Sequence, residues 1–354
     1  MKLMQSYLKN ILLAITLTSC AHNIKDLGSY HQSMMEQSPL ITSEDLQNPK
    51  AIIVIFELDN NGIAEAEKAN LGKTSSAKIE NILAKGKLVT IAERNNIKKL
   101  HQEIALSEMN SDTTYSGPAV ADYAISGKII SAGLEHKFQS ASVYYNPSSG
   151  TLVRVPPKNK YEASVSGNFK ILKLPSLKVI DVIEFKGQEY RFEDAIEDRS
   201  FFSSRIDPSN IKTEDNELLR KATLDAIEDN AHNLKNIFAN FKRGYIYERR
   251  NNGKDDIFLI NMGSNDGLKS GTKATLYTLE EYNSPMSEET SLEEIELGQA
   301  VVTNRIFDNK AWVIIKDKKL IDNIQIGDFV KVTFKKSLTR KFDNISDTTK
   351  GLIY

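Results

Sequence analysis

The sequence changes its grammar at about Arg243, and no other feature limits the available folds so strongly. Before that point, apolar runs of strand type alternate with stretches of helical spacing. After it, short strands are set apart by Gly, Asn and Asp turns with no helical period between them. Alternating strands and helices call for a sheet covered by helices, whereas closely spaced short strands with polar turns call for a small barrel. At about 100–200 residues per domain, a chain of 354 residues has room for both. The expected fold class is α/β: a mixed-sheet α/β sandwich followed by a small all-β barrel.

The individual elements follow from local pattern. Ile52-Ile53-Val54-Ile55-Phe56 is a continuous run of the kind buried on both faces of a sheet. A helix is expected from about Ser75 to Lys85, with Ile79, Ile82 and Leu83 on one face and Gly86 as its stop. Leu88 to Ile91 reads as a second strand, and Ile97, Leu100 and Ile104 place a second helix over roughly 94–109. Tyr123 to Gly133 is the next strand, followed by a polar loop containing Asn146-Pro147-Ser148-Ser149-Gly150. Strands over about 161–174 and 177–187 are joined by the tight turn Leu174-Pro175-Ser176-Leu177. Glu189 to Arg205 is expected to be an irregular acidic loop. One long helix is expected over about 214–241, with Leu219, Ala222, Ala226, Leu234, Ile237 and Phe241 along a stripe. Beyond Arg243 the clearest strands are Trp312 to Ile315 and Phe329 to Val332, and the acidic stretch Ser284 to Glu296 reads as a solvated loop.

Cys20 is the only cysteine. It follows Leu17-Thr18-Ser19, behind a positive start (Lys2, Lys9) and the apolar run Ile11-Leu12-Leu13-Ala14-Ile15. That run is too short to cross about 30 Å of hydrocarbon, which takes roughly 20 residues, and it suits a secretory signal peptide. The tetrapeptide ending at Cys20 resembles a bacterial lipobox. The resemblance implies lipidation of Cys20, with each buried CH₂ contributing about 0.8 kcal/mol to membrane attachment. Ala21 follows, with no Asp to suggest inner-membrane retention, so the expected location is the outer membrane, lipid-anchored on the periplasmic side. The expected organisation is a signal peptide over 1–19, a lipidated tether over 20–49, an α/β domain over 50–242, a β-barrel over 243–335 and a flexible tail over 336–354. With Cys20 acylated, no thiol remains for a disulfide, a cysteine zinc site or a cysteine nucleophile.

Composition gives no sign of catalysis or of nucleic acid. A net charge of −1 offers no general basic face. The five histidines, His22, His31, His101, His136 and His232, form no pair at metal-ligand spacing. Asp59-Asn60-Asn61-Gly62 has the look of a calcium loop but lacks the closing Glu. The acidic pairs within 189–198 have no polar framework around them that would make an acid and a base. No phosphate loop or nucleophile elbow occurs. The expectation is a chain that is not an enzyme, with no cofactor and no metal.

Several longer stretches carry a family resemblance. Lys87-Leu88-Val89-Thr90-Ile91-Ala92-Glu93-Arg94-Asn95-Asn96-Ile97 is a strand ending in a Glu-Arg pair before an amphipathic helix, continued by Leu100-His101-Gln102-Glu103 and Leu106. Ala121-Asp122-Tyr123-Ala124-Ile125-Ser126-Gly127-Lys128-Ile129, Val179-Ile180-Asp181-Val182 and the helix over 214–241 follow in order. Together they resemble the CsgG/HfaB family of envelope lipoproteins across roughly residues 50–241. Gly263-Ser264-Asn265-Asp266-Gly267-Leu268-Lys269-Ser270-Gly271 and Ile326-Gly327-Asp328-Phe329-Val330 resemble the C-terminal domain of FlgT-like flagellar assembly proteins. The resemblances imply a CsgG-like α/β domain and an SH3-like barrel. They also imply a non-catalytic role in assembling a surface appendage, flagellar or curli-like, or a secretion machine. A homo-oligomeric ring and other envelope assembly proteins are the implied partners. Glu93 and Arg94 are candidates for contact between subunits, with a helix cap inside one chain as the equal alternative.

The alternative function is a ring-forming secretion-channel subunit of the curli-transport type. Its membrane hairpins would come from 134–160 and 189–205. The first carries Phe138, Val143, Tyr145, Leu152 and Val153 but also Pro147, Pro156 and Pro157; the second crowds together Glu193, Asp194, Glu197 and Asp198. The stretch Glu57 to Lys73, which would narrow the pore, offers Asn60, Asn61 and Asn70 and no Tyr or Phe. These features count against the channel.

Overall fold

The computed structural model describes residues 22–41, 50–92, 121–195, 211–283 and 290–336. The chain divides into two compact units: one gathers 51–84 and 90–234, the other the N-terminal segment to Lys50, 85–89 and 235–334. β1 (His31–Ser33) belongs to the latter.

The first unit is built from β2 (Ile52–Ile55), α1 (Ala64–Lys68), α2 (Leu71–Gly86), β3 (Thr90–Ile91), β4 (Tyr123–Gln139), β5 (Ser142–Asn146), β6 (Thr151–Val155), β7 (Lys158–Lys173), β8 (Lys178–Asp194) and α3 (Asn216–Asp229). Its sheet has the order β3-β2-β4-β7-β8, and β5 and β6 form a separate two-stranded hairpin. β2 runs parallel to β3 and β4, whereas β4, β7 and β8 are antiparallel, so the sheet is mixed as expected. Register places Ile125, Phe169, Ile171, Ile183 and Phe185 on one face, and all five are buried. The Asp215 carboxylate starts α3 by accepting from the Leu218 amide at 3.0 Å. Leu218, Leu219, Ala222, Ala226 and Ile227 of α3 are buried. Helix and strand touch backbone to backbone, since a Cβ at Gly187 would lie 2.1 Å from the Ala222 carbonyl oxygen. Val54, Phe56, Ala124, Leu172 and Leu174 form a second cluster from the opposite face of the sheet.

Three expectations change here. The helix expected over 214–241 is two, α3 and α4 (Ala231–Phe241). The break is at Asn230, whose side chain turns back to the Ala226 carbonyl at 3.0 Å and competes with the backbone for hydrogen bonds. The segment expected as a polar loop after Gly133 is the rest of β4, the β5–β6 hairpin and the start of β7. The acidic loop expected from Glu189 is strand through Asp194; residues 196–210 lie outside the described set. Alternation holds through the charges: Glu189, Arg191 and Glu193 share one face while Tyr190 and Phe192 take the other. The helix expected over 94–109 also lies outside the described residues.

The second unit contains β9 (Gly244–Asn251), β10 (Asp256–Ile260), β11 (Lys273–Asn283), β12 (Thr290–Ile306), β13 (Ala311–Ile315) and β14 (Phe329–Thr333). They pair in the order β9-β10-β13-β12-β11-β14, and β14 returns to β9, closing a six-stranded barrel. The second edge of β9 is shared: β14 takes Gly244 and Tyr245, and β1 takes Arg249 to Asn251. The N-terminal segment read as a tether is therefore, over 22–41, part of the barrel unit. Ile24 and Tyr30 bury themselves with Ile257, Leu259 and Trp312. The Ile24 amide donates to Asn304 Oδ1 at 2.8 Å, and the Arg305 guanidinium donates to the carbonyls of Ile24 and Lys25. Ile24, Leu27 and Tyr30, three residues apart in a polar segment, supply the apolar stripe that pins it. The expected solvated loop at 284–296 is also corrected. Thr290 to Glu296 is strand, paired with Tyr277 to Asn283, because the register of β11 and β12 runs on past the barrel wall.

Candidate functional site

The residues singled out from sequence, Cys20 for lipidation and Glu93 and Arg94 for subunit contact, lie outside the described residues. Asp59-Asn60-Asn61-Gly62 forms a turn leading towards α1: Asp59 Oδ1 accepts from the Asn61 amide at 3.0 Å, and Glu67 Oε1 accepts from the Gly62 amide at 2.8 Å. His136 packs on Tyr161 and bonds Asn159, His232 bonds the Asp229 carbonyl, and His22 lies 3.9 Å from Asp255. Among the described residues no group of three or more His, Cys, Asp or Glu side chains could hold a metal ion. No helix there is long and apolar enough to cross a membrane.

What the fold does build is a pair of projecting hairpin arms. The first rises from the α/β sheet. β4 and β7 pair from Tyr123 and Lys173 out to Gln139 and Lys158. There Ser140-Ala141 and Pro156-Pro157 interrupt the ladder, since proline cannot donate to it. The chain then makes the β5–β6 hairpin, whose turn holds Gly150 at φ +68°. Pairing of Val143 with Arg154 and of Tyr145 with Leu152 puts these four side chains on one face. Val143, Tyr145 and Leu152 are 62%, 61% and 73% exposed, and Tyr144 on the other face is exposed as well. Apolar side chains so far into solvent contribute nothing to the core, and each would gain about 1.5–3 kcal/mol from full burial.

The foot of this arm is fixed by charge. Glu189 meets Lys221 at 2.9 Å, Glu193 meets Lys212 at 2.6 Å, and Arg191 bridges to the buried Asp215 carboxylate. Burial, reinforced by the neighbouring Asp225, pushes the Glu189 carboxyl above its ordinary range despite the Lys221 ammonium. The sheet face away from α3 carries Lys160, Glu162, Ser164, Ser166, Tyr190 and Phe192. Lys160 lies 5.4 Å above the Tyr190 ring and bonds Glu162 at 2.9 Å.

The second arm is the outer half of β11 and β12. At its foot Glu294 accepts from Arg243 at 2.8 Å and from Lys331. Burial works against the Glu294 charge, yet these two cations more than offset it and hold the carboxyl below the ordinary range. Arg243 covers the Phe329 ring at 4.9 Å, and Tyr277 stacks on Phe329 at 5.7 Å. Tyr282 and Leu292 are exposed along the arm. This arm was missed in the sequence because its charges hide the period of two; the first was visible as Val143, Tyr145, Leu152 and Val153 but was obscured by its prolines.

No family model matches the sequence, so the CsgG/HfaB and FlgT-like resemblances rest on short motifs alone. No curated protein matches it either. Solved structures similar to the chain include the PelC dodecamer from Paraburkholderia phytofirmans, at 11% identity and a TM-score of 0.21, over 56% of this chain and 96% of that one. Another is the hypothetical protein CT253 from Chlamydia trachomatis, at 10% identity and a TM-score of 0.25, over 52% and 98% respectively. At such scores these likenesses bear on neither function nor oligomeric state.

Proposed function

We propose that this chain is a non-catalytic, lipid-anchored envelope protein that scaffolds assembly of a surface appendage, flagellar or curli-like, or of a secretion machine. The observation that carries this reading is the pair of arms extending past their packed bases with apolar side chains useless to either core. Exposed apolar area on rigid strands is what a docking part offers. In this reading the first unit is a CsgG-like domain, the barrel is SH3-like, and acylated Cys20 holds the protein on the periplasmic side of the outer membrane. Only four peptide steps separate Cys20 from Ile24 on the barrel wall, a reach of about 14 Å. Glu93 and Arg94 join copies of the chain in a homo-oligomeric ring that receives other envelope proteins.

The test is light scattering and negative-stain imaging of the detergent-extracted, acylated protein. A ring without a membrane-spanning crown, reduced in mass by Arg94→Ala with unchanged circular dichroism, is the expected result. A lone monomer would remove the ring. A crowned ring that conducts in planar bilayers would replace the scaffold with the secretion channel. The strands of the β5–β6 hairpin have five residues each, about half the 9–11 a membrane strand needs, which favours the scaffold. Deletion that left every envelope appendage and secreted product intact would overturn the role itself.

A further inference from the structure

We propose that the β5–β6 hairpin inserts its tip into the surface of an anionic lipid bilayer, as a contact separate from any acyl anchor at Cys20. Two observations converge on this. The first is geometric: the exposed side chains of Val143, Tyr145 and Leu152 share one face, Tyr144 stands on the other, and the hairpin is set off from the sheet by Ser140-Ala141 and Pro156-Pro157. The second is the sign of the charge. Between Glu135 and Glu162 the chain has four basic residues, Lys137, Arg154, Lys158 and Lys160, and no acidic one, in a protein with 46 basic and 47 acidic residues.

The chemistry matches an interface rather than a span. Five residues at about 3.3 Å each make a hairpin roughly 17 Å long, too short for about 30 Å of hydrocarbon. It is long enough to sink apolar side chains about 5–10 Å into the headgroup boundary. Tyrosines suit that depth, with a ring among the acyl chains and a hydroxyl in water. Arg154, paired opposite Val143, reaches lipid phosphates on a stem that itself prefers apolar surroundings. Lys137, Lys158 and Lys160 stand at the foot, and register puts Arg154, opposite Val143, nearer the turn than any of them. A second copy of the hairpin is a poor occupant, because it would bring a second set of four basic residues and no acidic one against the first.

The absence of any other cysteine supplies a clean probe. In the full-length Cys20→Ser chain, Ser148→Cys can carry an environment-sensitive NBD fluorophore on the hairpin turn. Emission should move to the blue and brighten when phosphatidylcholine vesicles containing phosphatidylglycerol are added, and much less with phosphatidylcholine alone. Tyr145→Asp with Leu152→Asp should weaken that partition by more than about tenfold. Arg154→Gln, a milder change made in case the double variant folds badly, should weaken it about fivefold, which corresponds to about 1 kcal/mol for one cation near an anionic surface. The leader retained in every variant cannot produce these differences. No blue shift with anionic vesicles would overturn the proposal. So would an equal shift with neutral vesicles, or a shift produced by raising protein concentration without lipid, which would assign the face to a second copy.

Discussion

The two arms are the same backbone device with opposite surfaces. Each is an antiparallel pair that outruns its base, the first from the α/β sheet and the second from the barrel. From 136 to 161 the first has four basic residues and no acidic one; from Glu280 to Glu296 the second has seven acidic residues and no basic one. A protein that needed only length from its strands would have no reason to separate its charges so completely. The contrast teaches that the arms are specialised for different surroundings, whereas the bases beneath them obey the ordinary rules of core packing.

That distinction can be broken at the bases first. Phe169 and Phe329 are fully buried, one in each unit. Phe169→Ala and Phe329→Ala should each cost about 3–5 kcal/mol in chemical denaturation; a small loss at either would mean that its base is not the rigid platform described. Gly187→Val comes next, because its Cβ would meet the Ala222 carbonyl oxygen at 2.1 Å and push α3 off the sheet. A loss of about 1–3 kcal/mol is expected, read as a lower urea midpoint. Glu294→Gln should cost about 1–2 kcal/mol near neutral pH by stranding Arg243 and Lys331.

The dependence on pH sharpens the contrast. Glu294 has a lowered carboxyl in the folded state, so its contribution is present above the ordinary value of 4.5 and is lost as pH falls through the folded value. The penalty of Glu294→Gln should therefore fade in acid. Glu189 is raised, so the folded chain holds its proton more tightly and its contribution is lost as pH rises from 4.5 through the folded value. Glu189→Gln should accordingly be better tolerated near neutral pH than below 4.5, the reverse ranking. The smallest effects belong to the arm surfaces. Tyr145→Ser, Leu152→Ser and Leu292→Ser should each change stability by no more than about 0.5 kcal/mol. A larger loss would mean that the side chain serves the fold after all.

Legibility from sequence followed the hydrophobic period. Ile52 to Ile55, the turn at Leu174-Pro175-Ser176-Leu177 and the strands at Trp312 and Phe329 were readable because short apolar runs and turn residues agree there. Where strands carry charge the reading failed. Glu189, Arg191 and Glu193 pair with cations and a carboxylate outside their own strand, so they sit in a ladder although the composition reads as loop. The N-terminal segment was misread for a related reason. Its polar composition suggested a tether, and only Ile24, Leu27 and Tyr30 carry the information that it packs. Of the candidate site, the aromatic tip was legible as residues but not as a surface, because Pro147, Pro156 and Pro157 mask the local pairing of β5 with β6 that exposes it.

The strap of residues 22–41 on the barrel wall also fixes an order in time. Ile24 bonds Asn304 across 280 positions of chain, and the segments 51–84 and 90–234 of the other unit lie between them in sequence. The strap is thus made long before its partners on β9, β10 and β13 and can find its place only after they follow. Contacts so distant in sequence slow folding far more than they weaken the folded state. The barrel cannot complete its wall until β14 has been made and has paired with β9. A chain built this way keeps an early strap waiting for a late wall.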